Sequence, residues 1–209
     1  MLYKDHTMTR IGINCCLFAW MLSLNGCVIL GVAANAVPQY TKPKYTNLAG
    51  QSIAVMVWVD RGVKIDWPNL ALDSTTSLQS KLTAVSPTEK LLKDATFPIK
   101  PASVVRYQMD HPEVDTYSII EVAPKLGVSR LIYVEVDDFA TRADSSVELF
   151  RGHMTGTLRI IEIAGGVAKV AFEENNISAV FPRKSPKDGL PDGNDFAIYA
   201  GTVDAFTTE

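Results

Sequence analysis

Three aspartates stand where open α/β sheets often place working carboxylates. Asp60 follows the apolar run Ile53–Val59, and the pair Asp137 and Asp138 follows Leu131–Val136. Carboxylates just past a strand end can exchange protons with a substrate or hold a hard cation. Aspartate after a strand is also ordinary turn chemistry. The spacing here favours turns, so no catalytic residue is assigned. His6 lies near the start, while His111 and His153 have neither an H-x-x-x-H partner nor a nearby cysteine, which gives no metal-ligand pattern. Asp188, Asp192, Asn194 and Asp195 put oxygen ligands in a Gly-rich loop but do not follow the order of a calcium-binding EF-hand loop. Gly152 and Gly156 lack the Gly-Lys-Ser/Thr of a phosphate loop, and no serine sits in a G-x-S-x-G elbow. The expectation is a domain with no metal, no cofactor and no catalytic centre. An enzyme remains the alternative, a hydrolase using the strand-end carboxylates.

Aromatic residues offer recognition instead. Trp58 lies near the end of an apolar run and is expected in the core. Trp67, in Ile65-Asp66-Trp67-Pro68, is the better candidate for an exposed contact with a partner. The 209 residues carry 20 Lys+Arg and 23 Asp+Glu, a net charge of -3. No basic run occurs after the leader, which speaks against nucleic acid as a partner.

The elements that must position these residues read as alternating strands and helices. Ile53–Val59 is a strand buried on both faces, and Asp60-Arg61-Gly62 turns the chain. Leu78, Leu82 and Val85 form a helical stripe. Ser86-Pro87-Thr88-Glu89 has the form of a capping box, opening a short helix to about Ala95. Ser103–Tyr107 reads as a short strand. Ser118 and Glu121 form a second capping box, and Gly127 ends the helical segment that follows it. Leu131–Val136 is the next strand. Leu149–Ile163 and Val167–Glu174 form a long hairpin around Ala164-Gly165-Gly166. Asp195 caps a last helix that carries Tyr199, Val203 and Phe206. The expected fold is α/β: a single two-layer or three-layer sandwich with a mixed sheet, a long C-terminal hairpin and packing helices.

All three cysteines, Cys15, Cys16 and Cys27, fall in the first 27 residues. The body therefore has no thiol chemistry and no disulfide. Arg10, with Lys4 ahead of it, precedes a charge-free stretch from Ile11 to Leu24, the pattern of a signal peptide. Leu24-Asn25-Gly26-Cys27 then resembles a lipobox: a branched apolar residue in Leu24, a small residue in Gly26 and the acceptor Cys27. Asn25 is the less usual member. The resemblance implies cleavage before Cys27 and lipid on its thiol and amine. Several acyl chains, at about 0.8 kcal/mol per buried CH₂, anchor durably. Val28 in place of Asp after the lipidated cysteine implies the outer membrane, facing the periplasm. Two alternatives stand beside this. The charge-free run reaches Val37, long enough to remain as a transmembrane anchor. Ala34-Asn35-Ala36 fits an ordinary cleavage site that would release a secreted protein. The organisation expected is a signal peptide over residues 1–26, a lipid-anchored tether over 27–50 and a globular domain over 51–209.

A strand after a tether, a helix of spaced leucines (Leu78, Leu82), Leu126-Gly127 leading into Leu131–Val134, and the long hairpin together resemble a group of bacterial envelope lipoproteins. These are the LpoB type, the CsgG type and the N-terminal domain of TolB. The resemblance covers Ser52 to Phe181 and is one of pattern. It implies docking to another envelope protein, or assembly with copies of itself, and carries over no functional residue. No surplus hairpins are present for a membrane-spanning pore. A subunit of a secretion or transport assembly is a further alternative.

Overall fold

The apolar run Ile53–Val59 forms the first strand, β1. Ile53, Ala54, Val55, Met56, Val57 and Val59 are all buried, so the strand needs cover on both faces. In the computed structural model, which describes residues 43–143, 146–184 and 189–209, it has that cover. Side chains of Ile53, Val55, Val57 and Val59 meet Leu70, Leu78 and Leu82. Those of Ala54, Met56 and Trp58 meet Val104, Tyr107 and Ile119. The period-2 alternation of a strand thus sorts one short run between two helical layers.

The sheet has four strands in the order β1-β2-β3-β4. β2 (Arg130–Ala143) runs parallel to β1, from Ile53 opposite Arg130 to Val59 opposite Val136. β3 (Ser146–Ala164) and β4 (Val167–Phe181) continue antiparallel. Gly165 and Gly166 make the hairpin turn with φ of 58° and 78°, the left-handed pair that a two-residue connection favours. Between β1 and β2 come helices α1 (Arg61–Asp66), α2 (Leu70–Val85), α3 (Pro101–Asp110) and α4 (Ile119–Val122). A last helix, α5 (Asp195–Phe206), packs against β3 and β4. α2 and α5 cover one face of the sheet, α3 and α4 the other. The sandwich is a three-layer one.

Small residues let α5 lie close. A Cβ on Gly152 would strike the side chains of Thr202 and Ile198, and one on Gly156 would crowd the Phe206 ring as well as the Glu135 carbonyl of β2. Gly201, on the helix itself, faces the ring of Phe181.

β2 continues past Val136 because of a bulge. Val136 pairs with Gly156 and Asp138 with Thr155, which leaves Asp137 as the extra residue. Val136 and Phe139 therefore reach the same cluster beneath α2 and α5. β4, an edge strand, is also irregular. Its register shifts between Val170 and Phe172 and again between Glu174 and Ile177. Asn176 there takes a φ of 60°. Two bulges on one exposed edge spoil it as a template for another strand.

Four local expectations are corrected. Ser103–Tyr107 is helical, inside α3, because Pro101 stands at the first helical position and Val104 is drawn into the core. Ser86 closes α2 rather than opening a helix. Its hydroxyl donates to the Leu92 carbonyl (2.9 Å), and only the 3₁₀ turn Lys90–Leu92 follows. Asp60 does not simply turn the chain but caps α1, accepting from the Gly62 N–H at 2.8 Å. Asn194, not Asp195, caps α5, accepting from the Ala197 N–H at 2.8 Å. Leu78 and Leu82 of the helical stripe pack as expected, while Val85 is exposed.

A compact unit runs from Tyr45 to Glu209. Its first residues are held to the sheet. Arg130 Nε donates to the Tyr45 hydroxyl (3.1 Å) and the Asn47 carbonyl (3.2 Å). Glu162 accepts from Tyr45 (2.9 Å) and Asn47 (3.1 Å) and pairs with Lys169 at 3.0 Å. These bonds hold the Glu162 carboxyl down at about 2, that from Lys169 contributing most. Leu24, Gly26 and Cys27 lie outside the described residues.

Candidate partner-binding surface

Trp67 closes α1, its backbone N–H donating to the Val63 carbonyl. Pro68 follows, and α2 begins at Leu70. The short link aims the half-buried indole at two rings from distant parts of the chain. Phe139, brought inward by the β2 bulge, meets it edge-on at 5.2 Å between centroids. Tyr199 of α5 lies along it at 5.5 Å and 28°. Phe139 and Tyr199 are themselves edge-to-face at 5.4 Å. Such arrangements suit the ring quadrupoles and contribute beyond the area they bury.

Trp67 and Tyr199 line a hollow of ≈ 270 Å³ together with Pro68, Asn69, Asp73, Asp195 and Phe196. Phe196 is 81% exposed, an unusual position for so large an apolar side chain. The Tyr199 hydroxyl donates to Asp73 Oδ2 at 2.7 Å. Burial first, and then the Asp73 carboxylate, pushes the Tyr199 phenol well above its ordinary range. Asp195 is already neutralised. Arg142 grips it with Nε (3.1 Å) and Nη2 (2.6 Å), and Thr141 donates at 2.7 Å. The bond from Thr141, with Arg142 behind it, holds its carboxyl below the usual range.

Two of the strand-end carboxylates, Asp60 and Asp138, have separate partners. Asp60 is occupied with its helix cap. Asp138 Oδ2 faces His153 Nε2 at 2.7 Å, across β2 and β3. Asp137 occupies the bulge, where partial desolvation and then the neighbouring Glu135 raise its carboxyl above the ordinary value. Asp60 adds to that rise. Among the described residues no group of three or more His, Cys, Asp or Glu is placed to hold a metal. His111 Nδ1 lies 2.9 Å from Glu113 Oε1, with its ring on Tyr107. Asp192 is exposed, and Asp188 lies outside the described residues.

A second hollow, of ≈ 440 Å³, opens on the α3 and α4 face. Trp58 stands at its rim, half-buried rather than fully in the core, and its Nε1 donates to Asp115 at 2.8 Å. Arg159, also in its lining, bridges Glu135 (2.6 Å) and Glu173 (2.7 Å). Glu135 and Glu173 thus share the Arg159 cation, while among the described residues Asp115 holds only the Trp58 indole N–H.

Of the hollow on Trp67, sequence reasoning singled out one wall. Tyr199 reads as a core position of α5, and Phe196 and Asp73 carry no local signal of a site. The nearest available sign is Phe196-x-x-Tyr199, two aromatics on one side of a helix.

No family model matches this chain, and no curated protein matches it. Solved structures with a similar outline exist. The lipoprotein GNA1162 from Neisseria meningitidis is 14% identical, with 70% of this chain and 89% of that one covered, at a TM-score of 0.43. The hypothetical protein CT253 from Chlamydia trachomatis is 16% identical, with 62% and 72% covered and a TM-score of 0.38. PelC from Paraburkholderia phytofirmans, solved as a dodecamer, is 10% identical, with 79% and 89% covered and a TM-score of 0.40. None of these is named as an LpoB, CsgG or TolB type. The likeness is one of outline and assigns no role to any residue.

Proposed function

We propose that this chain is a lipid-anchored protein of the bacterial outer membrane, facing the periplasm. Its folded body is a non-catalytic domain that docks another envelope protein or a second copy of itself. The observation that carries the reading is Leu24-Asn25-Gly26-Cys27 directly after a charge-free stretch, ahead of a body without cysteine. Among the described residues no helix is long and apolar enough to cross a membrane. The docking surface is the Trp67 hollow with the exposed Phe196, a large aromatic anchor of the kind that carries binding energy at interfaces.

Replacing Cys27 tests the anchor. The native chain should sediment with membranes and take up labelled palmitate. Cys27→Ala should take up none and move to the soluble fraction. Retention of Cys27→Ala in the membrane without label would establish a transmembrane anchor instead. A native chain that is soluble and begins after Ala36 would establish secretion. A photo-crosslinking residue at position 67 tests docking in cells. One defined adduct is expected, and recovery of monomer alone would count against the docking reading.

A further inference from the structure

The hollow on Trp67 has a chemistry narrower than apolar contact. Three aromatic rings, from Trp67, Phe196 and Tyr199, share its wall with the carboxylate of Asp73. Among the described residues no basic side chain pairs with Asp73; the Tyr199 hydroxyl is its hydrogen-bond donor. The other acid, Asp195, already holds Arg142. The lining thus presents one carboxylate without an ion-pair partner beside π faces, and no cation. Aromatic faces attract cations through the ring quadrupole, and arginine also stacks on them. One carboxylate among rings is too few oxygen ligands for a metal ion. At ≈ 270 Å³ the space falls below what drug-sized ligands usually take, roughly 300–1,000 Å³, and suits a single long side chain. With residues 1–26 removed, taking Lys4, Arg10 and Asp5, the net charge becomes -4, which favours a basic visitor.

We propose that the hollow formed by Trp67, Asp73, Phe196 and Tyr199 receives the cationic end of one arginine or lysine side chain presented by the docking partner. The guanidinium or ammonium sits against the rings and pairs with Asp73, while its methylene stem covers Phe196. The inference rests on the docking reading for its partner, but the site can be tested without one.

The full-length chain in lipid nanodiscs, labelled with 5-fluorotryptophan, gives a ¹⁹F signal for Trp67 that Trp67→Phe identifies. The probes are N-acetyl-arginine methylamide, its uncharged citrulline counterpart, the norleucine counterpart and phosphoethanolamine. The arginine compound should move the Trp67 signal saturably, with the citrulline compound about tenfold weaker. Asp73→Asn keeps an acceptor for Tyr199 and should weaken arginine binding about tenfold. Phe196→Ala, which alters an exposed side chain and leaves the unfolding midpoint unchanged, should weaken it several-fold. Equal response to the citrulline or norleucine compound would overturn the inference in favour of an apolar pocket. Response to phosphoethanolamine alone would overturn it in favour of a lipid headgroup, and no response to any probe would overturn it outright. A defined crosslinked partner with a silent titration removes this inference and leaves docking in place. A saturable titration with no crosslinked partner does the reverse.

Discussion

The hydroxyl of Tyr199 on α5 donates to the carboxylate of Asp73 on α2 across 2.7 Å, tying together the two helices that share one face of the sheet. Because Asp73 is exposed, water can replace the lost donor in Tyr199→Phe. That variant should lose only about 0.5–1 kcal/mol. Tyr199→Ala also removes the ring from Trp67 and Phe139 and should lose about 3 kcal/mol. Urea unfolding measures both, and equal losses would show that the ring contributes nothing.

Glu162 links folding to acid. Its carboxyl is held at about 2 in the folded chain, against 4.5 ordinarily. A depressed carboxylate stabilises the fold above the unfolded value and loses that contribution as pH falls toward the folded one. The loss should therefore fall between about pH 4.5 and pH 2. Glu162→Gln should flatten the dependence of the unfolding midpoint on pH across that window and leave its slope above pH 5 unchanged.

Gly156 should not accept a methyl group. The added Cβ would meet the backbone carbonyl of Glu135, on the neighbouring strand, and the ring of Phe206. A backbone atom cannot rotate away as a side chain can. Gly156→Ala should destabilise by about 1–3 kcal/mol. Gly152→Ala, facing the side chains of Thr202 and Ile198 rather than backbone, should lose less. Thermal unfolding of the two variants in parallel checks the order.

Asp60 separates a capping role from a chemical one. Asparagine caps helices about as well as aspartate, whereas alanine does not. Asp60→Asn should unfold with the native chain, and Asp60→Ala about 1 kcal/mol earlier. A catalytic carboxylate would erase that difference in an activity assay, with both variants inactive.

Much of the fold was legible because its signals are local. The run Ile53–Val59, the Gly165–Gly166 turn and the Ser118–Glu121 capping box each lie within a few residues, and each forms as expected. Gly127 likewise takes the left-handed conformation that ends its segment. Ser103–Tyr107 was misleading for the same reason: five residues with two valines satisfy either period, and the core contact of Val104 decided for helix. The far half of β2 was hidden by Asp137-Asp138, which breaks the alternation that marks a strand. The Trp67 hollow was hidden more deeply. Its walls come from the end of α1, from α2 and from α5, and no spacing rule connects residues that only tertiary packing brings together.

The bulge at Asp137 has a consequence for how β2 can change. The strand has something like a reading frame. Ahead of Asp137 the residues that face α2 and α5 are even-numbered, Val134 and Val136; beyond it Phe139 is odd. Thr141 and Ala143, also odd, are buried. Asp137 is the inserted letter that keeps the second half in phase with the first. Substituting it alters one exposed side chain, but deleting it would shift the frame and turn Phe139 away from Trp67 and Tyr199. Across this stretch the count of residues constrains the chain more tightly than their identity does.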